Sequence, residues 1–295
     1  MNFKKWIAKN TQSLKGKKVA ITGATGGLGR ELCLYLGALG ADLVLLNRSK
    51  GKTDALIEEL LFKFPHINAT FIPLELEDMR SVEDAACLLE KTGVDILVHN
   101  AGAYSIPRRK TTIGIDNVFQ INFFAPYYLT LRLFETLKKV SGRVVVVGSI
   151  AHNYSKTNME DFDFSGYNAS SKVYGNAKRH LMLVMYELFK TEKQIGFSVV
   201  HPGITFTNIT AHYPKLIFAI IKNPMKIIFM KPKKAALCIV KGLFENCGYA
   251  EWIGPRLFGI WGLPKKTLLK TFKQTEAAEV YQNAEKLLDN VWNKE

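Results

Sequence analysis

Residues 18–29 read KVAIT (18–22) running directly into Thr22-Gly23-Ala24-Thr25-Gly26-Gly27-Leu28-Gly29. A short apolar run that ends in a glycine-rich turn is the pattern of a buried strand entering a helix. Small residues in such a turn let the backbone approach a pyrophosphate. The helix that follows presents free N–H groups and the positive end of its dipole. The spacing is T-G-x-x-x-G-x-G, not the G-x-G-x-x-G of ordinary dinucleotide folds. The turn makes Thr22, Gly23, Thr25, Gly27, Leu28 and Gly29 candidate cofactor contacts.

Outward from the turn, apolar runs recur at 42–46, 69–74, 95–98, 143–147 and 196–200, and helical patterns lie between them at 27–39, 50–63, 81–91, 112–138 and 172–191. Strands alternating with helices predict an α/β, doubly wound (Rossmann-type) parallel sheet of six to seven strands, with helices on both faces. The chain reads as one domain over 1–295, with a basic N-terminal extension (1–17), a substrate flap (204–231) and a C-terminal extension (255–295). The polar stretch 151–171 and the apolar, lysine-bearing stretch 209–231 both follow strand ends on the carboxyl side of the sheet. In open α/β sheets that edge binds ligands, so these insertions are expected to build the substrate pocket.

Composition narrows the class. Hydrophobic residues make up 47% of the chain, enough for a large core. The four cysteines (Cys33, Cys87, Cys238, Cys247) form no C-x-x-C pair, and the six histidines lack metal-ligand spacing, so no metal is expected. No apolar run has the length of a signal peptide or a spanning helix, so a cytoplasmic protein, or one peripheral to a membrane, is expected. The formal charge is +14, and the segment Lys193 to Phe244 contains no Asp or Glu. Such an excess serves phosphate binding, an anionic surface or solubility. Without a basic strand interleaved with aromatics, or a recognition helix, nucleic acid is not an expected partner.

Cofactor choice is decided at the end of the second strand, where an acidic residue would bind a ribose 2′-hydroxyl and repel a 2′-phosphate. Asn47 and Arg48 stand there, with Lys50 and Lys52 behind. A guanidinium fork pairs with phosphate, so NADP(H) is the expected cofactor. Asn100-Ala101-Gly102 follows the fourth strand and offers room near the sheet centre.

At the other end of the candidate site, Ser149 closes the fifth strand, and Tyr174-Gly175-Asn176-Ala177-Lys178 lies on the next helix. A spacing of four puts Tyr174 and Lys178 on one face. A cation beside a phenol favours phenolate and lowers a pKa that is ordinarily about 10, which would make Tyr174 a usable acid/base. Ser149 could hold the substrate oxygen. Tyr167 and Lys172, five apart, form a decoy pair on different faces.

Taken together, these motifs make the chain similar to the short-chain dehydrogenase/reductase family over roughly residues 16–250. The resemblance implies a cofactor turn of Thr22, Gly23, Gly27 and Gly29, a central Asn100-Ala101-Gly102, and a catalytic tetrad of Asn122, Ser149, Tyr174 and Lys178, with Asn122 supporting a proton relay to the lysine. It also implies nicotinamide contacts from Pro202, Gly203 and Thr207, and adenine contacts around Glu75 and Leu76. Asn47-Arg48, Ala151-His152 and the long gap from Ser149 to Tyr174 most resemble the retinol dehydrogenase-like subgroup. That subgroup implies a hydrophobic ketone, aldehyde or alcohol substrate and NADP preference. His99 replaces an expected Asn, Glu75 an expected Asp, and Ala177 a common Ser. The resemblance also places the Asn122 and Tyr174 helices in a subunit contact, so a homo-oligomer is expected. A membrane-surface contact through 209–231 is the alternative to a lid there. The rival to an enzyme is an NADP(H)-binding regulator or scaffold with the same fold.

Overall fold

The chain opens with a short helix, α1 (Phe3–Asn10), whose Trp6 is buried. The computed structural model describes residues 3–167, 169–205 and 229–292. From residue 18 onward, strand and helix alternate: β1 (Lys18–Thr22), α2 (Gly27–Ala38), β2 (Asp42–Asn47), α3 (Lys50–Lys63), β3 (Ala69–Pro73), α4 (Met79–Thr92) and β4 (Ile96–His99). The local chemistry marks these boundaries. Ser49 caps α3 by accepting from Lys52 N, Asp78 caps α4 by accepting from Arg80 N, and Gly93 ends α4 at a φ of 75°.

The second half continues with α5 (Asn117–Phe119), a wider π turn at Gln120–Phe124, α6 (Ala125–Arg132), α7 (Phe134–Lys139) and β5 (Arg143–Val147). A 3₁₀ turn at Ile150–Tyr154 leads to α8 (Ser170–Leu188), β6 (Gly196–Val200), α9 (Pro232–Gly242), β7 (Glu251–Leu257), β8 (Trp261–Leu268) and α10 (Gln274–Trp292). The helical pattern at 112–138 is thus three short helices and a π turn, broken where Leu133 leaves the helical register.

The strands join one sheet in the order β3-β2-β1-β4-β5-β6-β7-β8. The first seven run parallel, and β8 is antiparallel to β7. The doubly wound α/β fold is therefore as expected, but with eight strands instead of six or seven. The runs read from the sequence end at 196–200, and β7 and β8 went unread because 251–268 carries Pro255, Pro264 and several glycines, the composition of a loop. Pro264 lies in β8, the outermost strand, where a proline costs least.

Two cores flank the sheet. One packs Trp6, Leu32, Leu36 and Leu60 with Leu237 and Val240 of α9. The other packs α4, α6 and α8 with Ala277, Val280 and Ala284 of α10. The helices α6 and α8, expected at a subunit contact, are covered by the chain's own C-terminal helix. Tyr127 on α6 donates its hydroxyl to Glu285, and Arg179 on α8 pairs with Glu276. Among the described residues, no helix is long and apolar enough to cross a membrane. Residues 206–228 lie outside the described residues, and with them Thr207 and most of the expected flap.

Candidate active site

Strand order reverses between β1 and β4, the position at which open α/β sheets bind ligands. The glycine turn after β1 and Asn100-Ala101-Gly102 after β4 meet at this point. The Thr22 hydroxyl accepts from Asn100 N at 3.1 Å and from Ala101 N at 3.0 Å, while Asn100 Nδ2 donates to Thr22 O and Gly23 O at 3.0 and 3.1 Å. Thr22 and Asn100 thus lock the two loops together.

The glycines are required by shape. A Cβ on Gly23 (φ 68°) would stand 2.9 Å from Ala101 Cα, and one on Gly29 would stand 2.4 Å from Gly23 O. The N-cap of α2 is Gly26, with no side-chain cap, so the first-turn N–H groups of this helix carry no side-chain partner there.

Asn47 is buried at the end of β2. Its Oδ1 accepts from Thr25 N at 3.3 Å, and its Nδ2 has no partner. Arg48 extends into solvent and lies 3.6 Å from the carboxylate of Glu75. Leu76, next along, offers its carbonyl to Gln120 Nε2 at 3.0 Å. Arg48 and Glu75 therefore face each other where an adenine ribose is expected.

The four tetrad residues converge on the carboxyl edge of β4 and β5. Asn122 sits in the π turn, fully buried, accepting from Ala103 N at 3.2 Å and donating to Ala103 O and Val118 O at 2.8 Å each. A Cβ on Gly102 would meet Asn122 Oδ1 at 2.9 Å and Lys178 Nζ at 3.5 Å, so Gly102 is what lets the asparagine and lysine approach the loop. Lys178 donates to Val147 O at 3.0 Å from a buried position. Burial pulls its pKa down to about 8.

Tyr174 is buried with the Ser149 side chain close enough to favour its phenolate, and Tyr104 packs edge-on to it with centroids 5.2 Å apart. Burial pushes the phenol up to about 12, and the Ser149 side chain opposes it. The expected lowering by Lys178 does not occur in this arrangement. The ammonium is drawn back to Val147 O, and loss of water outweighs every attraction on the phenol. Ser149 Oγ accepts from Ala151 N at 3.1 Å, which leaves its own O–H to donate.

Several contributions were not read from the sequence. Gly175, beside the tyrosine, admits Ala151 O, which would lie 2.4 Å from a Cβ there. His152 Nδ1 donates to Ser149 O at 2.7 Å and its Nε2 meets the Thr271 hydroxyl at 2.8 Å, so the segment before α10 buttresses the serine. Arg179 extends this link, reaching Thr271 O at 3.2 Å and Glu276 at 2.6 Å. Spacing could not have signalled these contacts, because the partners are more than 90 residues apart in sequence. His201 is buried and stacks on Trp252 at 3.9 Å, with Gly203 (φ 74°) just beyond. Pro202, between them, is half-buried at the end of β6.

The departures from the family pattern are structural. The Thr130 hydroxyl donates to Pro126 O, so it accepts from His99 Nε2 at 2.7 Å, which ties β4 to α6. Burial holds the His99 imidazole neutral, down to about 3. Arg108 is a second tether. It pairs with Asp116 at 2.8 Å and donates to Phe164 O at 3.0 Å, joining the loops on either side of Tyr174. The decoy pair is a surface contact, with Lys172 Nζ 5.4 Å from the Tyr167 ring centre. Among the described residues, no three His, Cys, Asp or Glu side chains are grouped to hold a metal.

Comparison with known proteins gives the same outline. Mouse retinol dehydrogenase 12 is 31% identical over 209 residues, 69% of this chain and 66% of that protein. Human polyprenol dehydrogenase is 26% identical over 291 residues, covering 93% and 82%. A WW domain-containing oxidoreductase of Drosophila melanogaster is 28% identical over 263 residues, covering 81% and 64%. The chain thus spans just under two thirds of the mouse and fly relatives. A solved structure of a putative uncharacterized protein from Mycobacterium paratuberculosis superposes with a TM-score of 0.75 at 24% identity, over 95% of this chain and 96% of that one. A short-chain dehydrogenase from Sphingobium yanoikuyae in complex with NADPH superposes at 0.59 and 21% identity, over 77% and 84%. These two likenesses carry the fold. The family model for short chain dehydrogenase matches residues 17–215. With the glycine turn, the strand order and retinol dehydrogenase relatives in agreement, the chain belongs to the short-chain dehydrogenase family, on its retinol dehydrogenase-like side.

Proposed function

We propose that this protein is an NADP(H)-dependent oxidoreductase that transfers hydride between a nicotinamide and a hydrophobic ketone, aldehyde or alcohol. The carrying observation is the convergence of the Tyr174 phenol, the Ser149 side chain and the buried Lys178 ammonium on the carboxyl edge of the sheet, close to the glycine turn.

The residues present fit the dinucleotide. Gly23 and Gly29 leave no room for a Cβ, α2 starts without a side-chain cap, and Asn47 Nδ2 is a buried donor without a partner. The first turn of α2, with Thr25, Gly27 and Leu28, would hold the pyrophosphate, and Arg48 a 2′-phosphate. Glu75 and Leu76 would border the adenine, and Pro202 and Gly203 the nicotinamide. When bound, the nicotinamide supplies or accepts the hydride.

The chain's own groups handle the proton. In reduction, Tyr174 donates its phenolic proton to the carbonyl oxygen, while the Ser149 hydroxyl donates a hydrogen bond to the same atom. Lys178 Nζ spends one N–H on Val147 O and keeps two for the cofactor ribose and the proton relay that Asn122 supports. A phenol pushed up to about 12 is protonated at neutral pH, the form that donates to a carbonyl oxygen. A hydrophobic substrate suits the apolar setting of Tyr174, which packs in a cluster with Val118, Ala151, Phe164 and Val173, Tyr104 and Ile106 lying against it. The names of the retinol and polyprenol dehydrogenase relatives are of the same chemical kind.

Titration with NADPH and NADH, followed by cofactor fluorescence, tests the cofactor reading. Consumption of NADPH with a panel of hydrophobic carbonyls tests the chemistry. Tighter NADPH binding with measurable reduction supports the proposal. Binding without turnover of any carbonyl or alcohol shifts the reading to a regulator of the same fold, and preference for NADH removes Arg48 from its role.

A further inference from the structure

β7 and β8 are joined by Leu257-Phe258-Gly259-Ile260-Trp261, closed by Ile260 N donating to Leu257 O at 3.0 Å. Phe258 and Gly259 both have positive φ, 53° and 67°. This is the tight hairpin turn whose first central position favours Asn or Gly. A phenylalanine there is strained, and its side chain is 91% exposed, so folding makes no use of it. Leu257 and Trp261 flank it, also exposed. The tip is thus a convex cluster of large apolar side chains.

The hairpin strands and the segment that follows carry an excess of cations. From Trp252 to Thr275 the sequence contains Arg256, Lys265, Lys266, Lys270 and Lys273 and no acidic residue. Lys266 is engaged with Glu245 and Glu251. Among the described residues, Arg256, Lys265, Lys270 and Lys273 are exposed and make no ion pair. Since β7 runs parallel to β6, the tip lies on the same sheet edge as the candidate site. It also reaches the β6 end directly, because a Cβ on Gly203 would stand 2.7 Å from Ile260 O.

We propose that this hairpin tip docks the protein on an anionic lipid bilayer, placing the candidate site beside the membrane surface. An aromatic and aliphatic tip with Arg256 beside it and Lys265 on the adjoining strand matches the interface of a bilayer, where rings enter the headgroup layer and cations meet acidic lipids. A second copy of this chain fits poorly. A two-fold contact sets a patch against itself, and this patch would face its own positive charge. The docking stands on the tip's exposure and charge, independently of the reaction.

Flotation with vesicles of phosphatidylcholine, alone or mixed with phosphatidylserine, tests it on the full chain. The wild type binds the mixed vesicles, less so at high salt, and binds the neutral ones weakly. Phe258→Asn suits the turn and should fold with an unchanged or raised melting temperature, while its partition onto mixed vesicles falls by about tenfold, the order expected for losing one inserted ring. Arg256→Glu with Lys265→Glu removes the preference for phosphatidylserine. The proposal is overturned if the wild type does not bind mixed vesicles, or if Phe258→Asn binds them equally well. It is also overturned if the tip substitution instead converts a lipid-free dimer to monomer in sedimentation, making a second copy the occupant.

Discussion

At the dinucleotide end of the site, Arg48 is 71% exposed and faces Glu75 across 3.6 Å. At the chemical end, Lys178 is 3% exposed, with its ammonium held by a backbone carbonyl. The first pair sits in water, where Coulomb attraction is screened and an ion pair contributes little. Recognition there rests on backbone shape, with Arg48 free to leave Glu75 for a better partner. The second site has traded water for fixed groups, so its protonation states move by whole pH units. Substitutions at the chemical end should therefore change rate and pH dependence, and those at the dinucleotide end should change affinity.

The sharpest break is Tyr174→Phe. Turnover should fall by a factor on the order of 10³, since no other acid touches the reacting oxygen, while NADPH affinity stays within a few-fold. Comparable loss of binding would mean that the phenol is structural. Next comes Glu276→Ala, which leaves Arg179 buried and unpaired. We expect a loss of about 3 kcal/mol in denaturant unfolding, with lower kcat through the link from Thr271 and His152 to Ser149. An unfolding midpoint like that of the wild type would sever the C-terminal segment from the site.

The pH profile follows from the two buried groups. Lys178 titrates near 8 in the folded chain against 10.5 ordinarily, so its burial costs stability below about pH 8 and that cost is relieved as pH rises toward 10.5. Tyr174, raised from 10 to about 12, adds stability at lower pH that is lost as pH climbs through that window. Lys178→Met should thus be more stable than wild type at pH 7, by on the order of 1–3 kcal/mol, with a flatter profile from pH 8 to 10. Its carbonyl reduction should be nearly absent. A wild-type stability profile already flat across pH 8–10 would contradict the buried ammonium.

Smaller effects belong to the other end. Gly29→Ala pushes a Cβ to 2.4 Å from Gly23 O, so the turn must open, at roughly 1–3 kcal/mol of stability and about tenfold in dinucleotide affinity. Arg48→Ala should weaken NADPH several-fold at low salt, less at high salt, and leave NADH unchanged, as isothermal titration would read. Equal loss for both cofactors would place Arg48 on the shared part of the dinucleotide.

Sequence alone carried six of the seven parallel strands in alternation with helices, the glycine turn, and Ser149, Tyr174 and Lys178 as candidates, with Asn122 added by the family resemblance. These are local patterns, in which periodicity sets the element and a spacing of four sets a helix face. Tertiary structure decided what no spacing encodes. It added β7 and β8, hidden by Pro255 and Pro264, and laid α10 over α6 and α8, where a subunit contact was expected. It gave His99 and Arg108 tethering roles, and made Gly102 and Gly175 the points of closest approach. It also reversed the direction of the Tyr174 shift, because a pKa depends on who surrounds a group and how much water remains. Residue order fixes which side chains are near along the chain; burial and long-range contact arise only when distant segments pack, and they set the chemistry of those side chains.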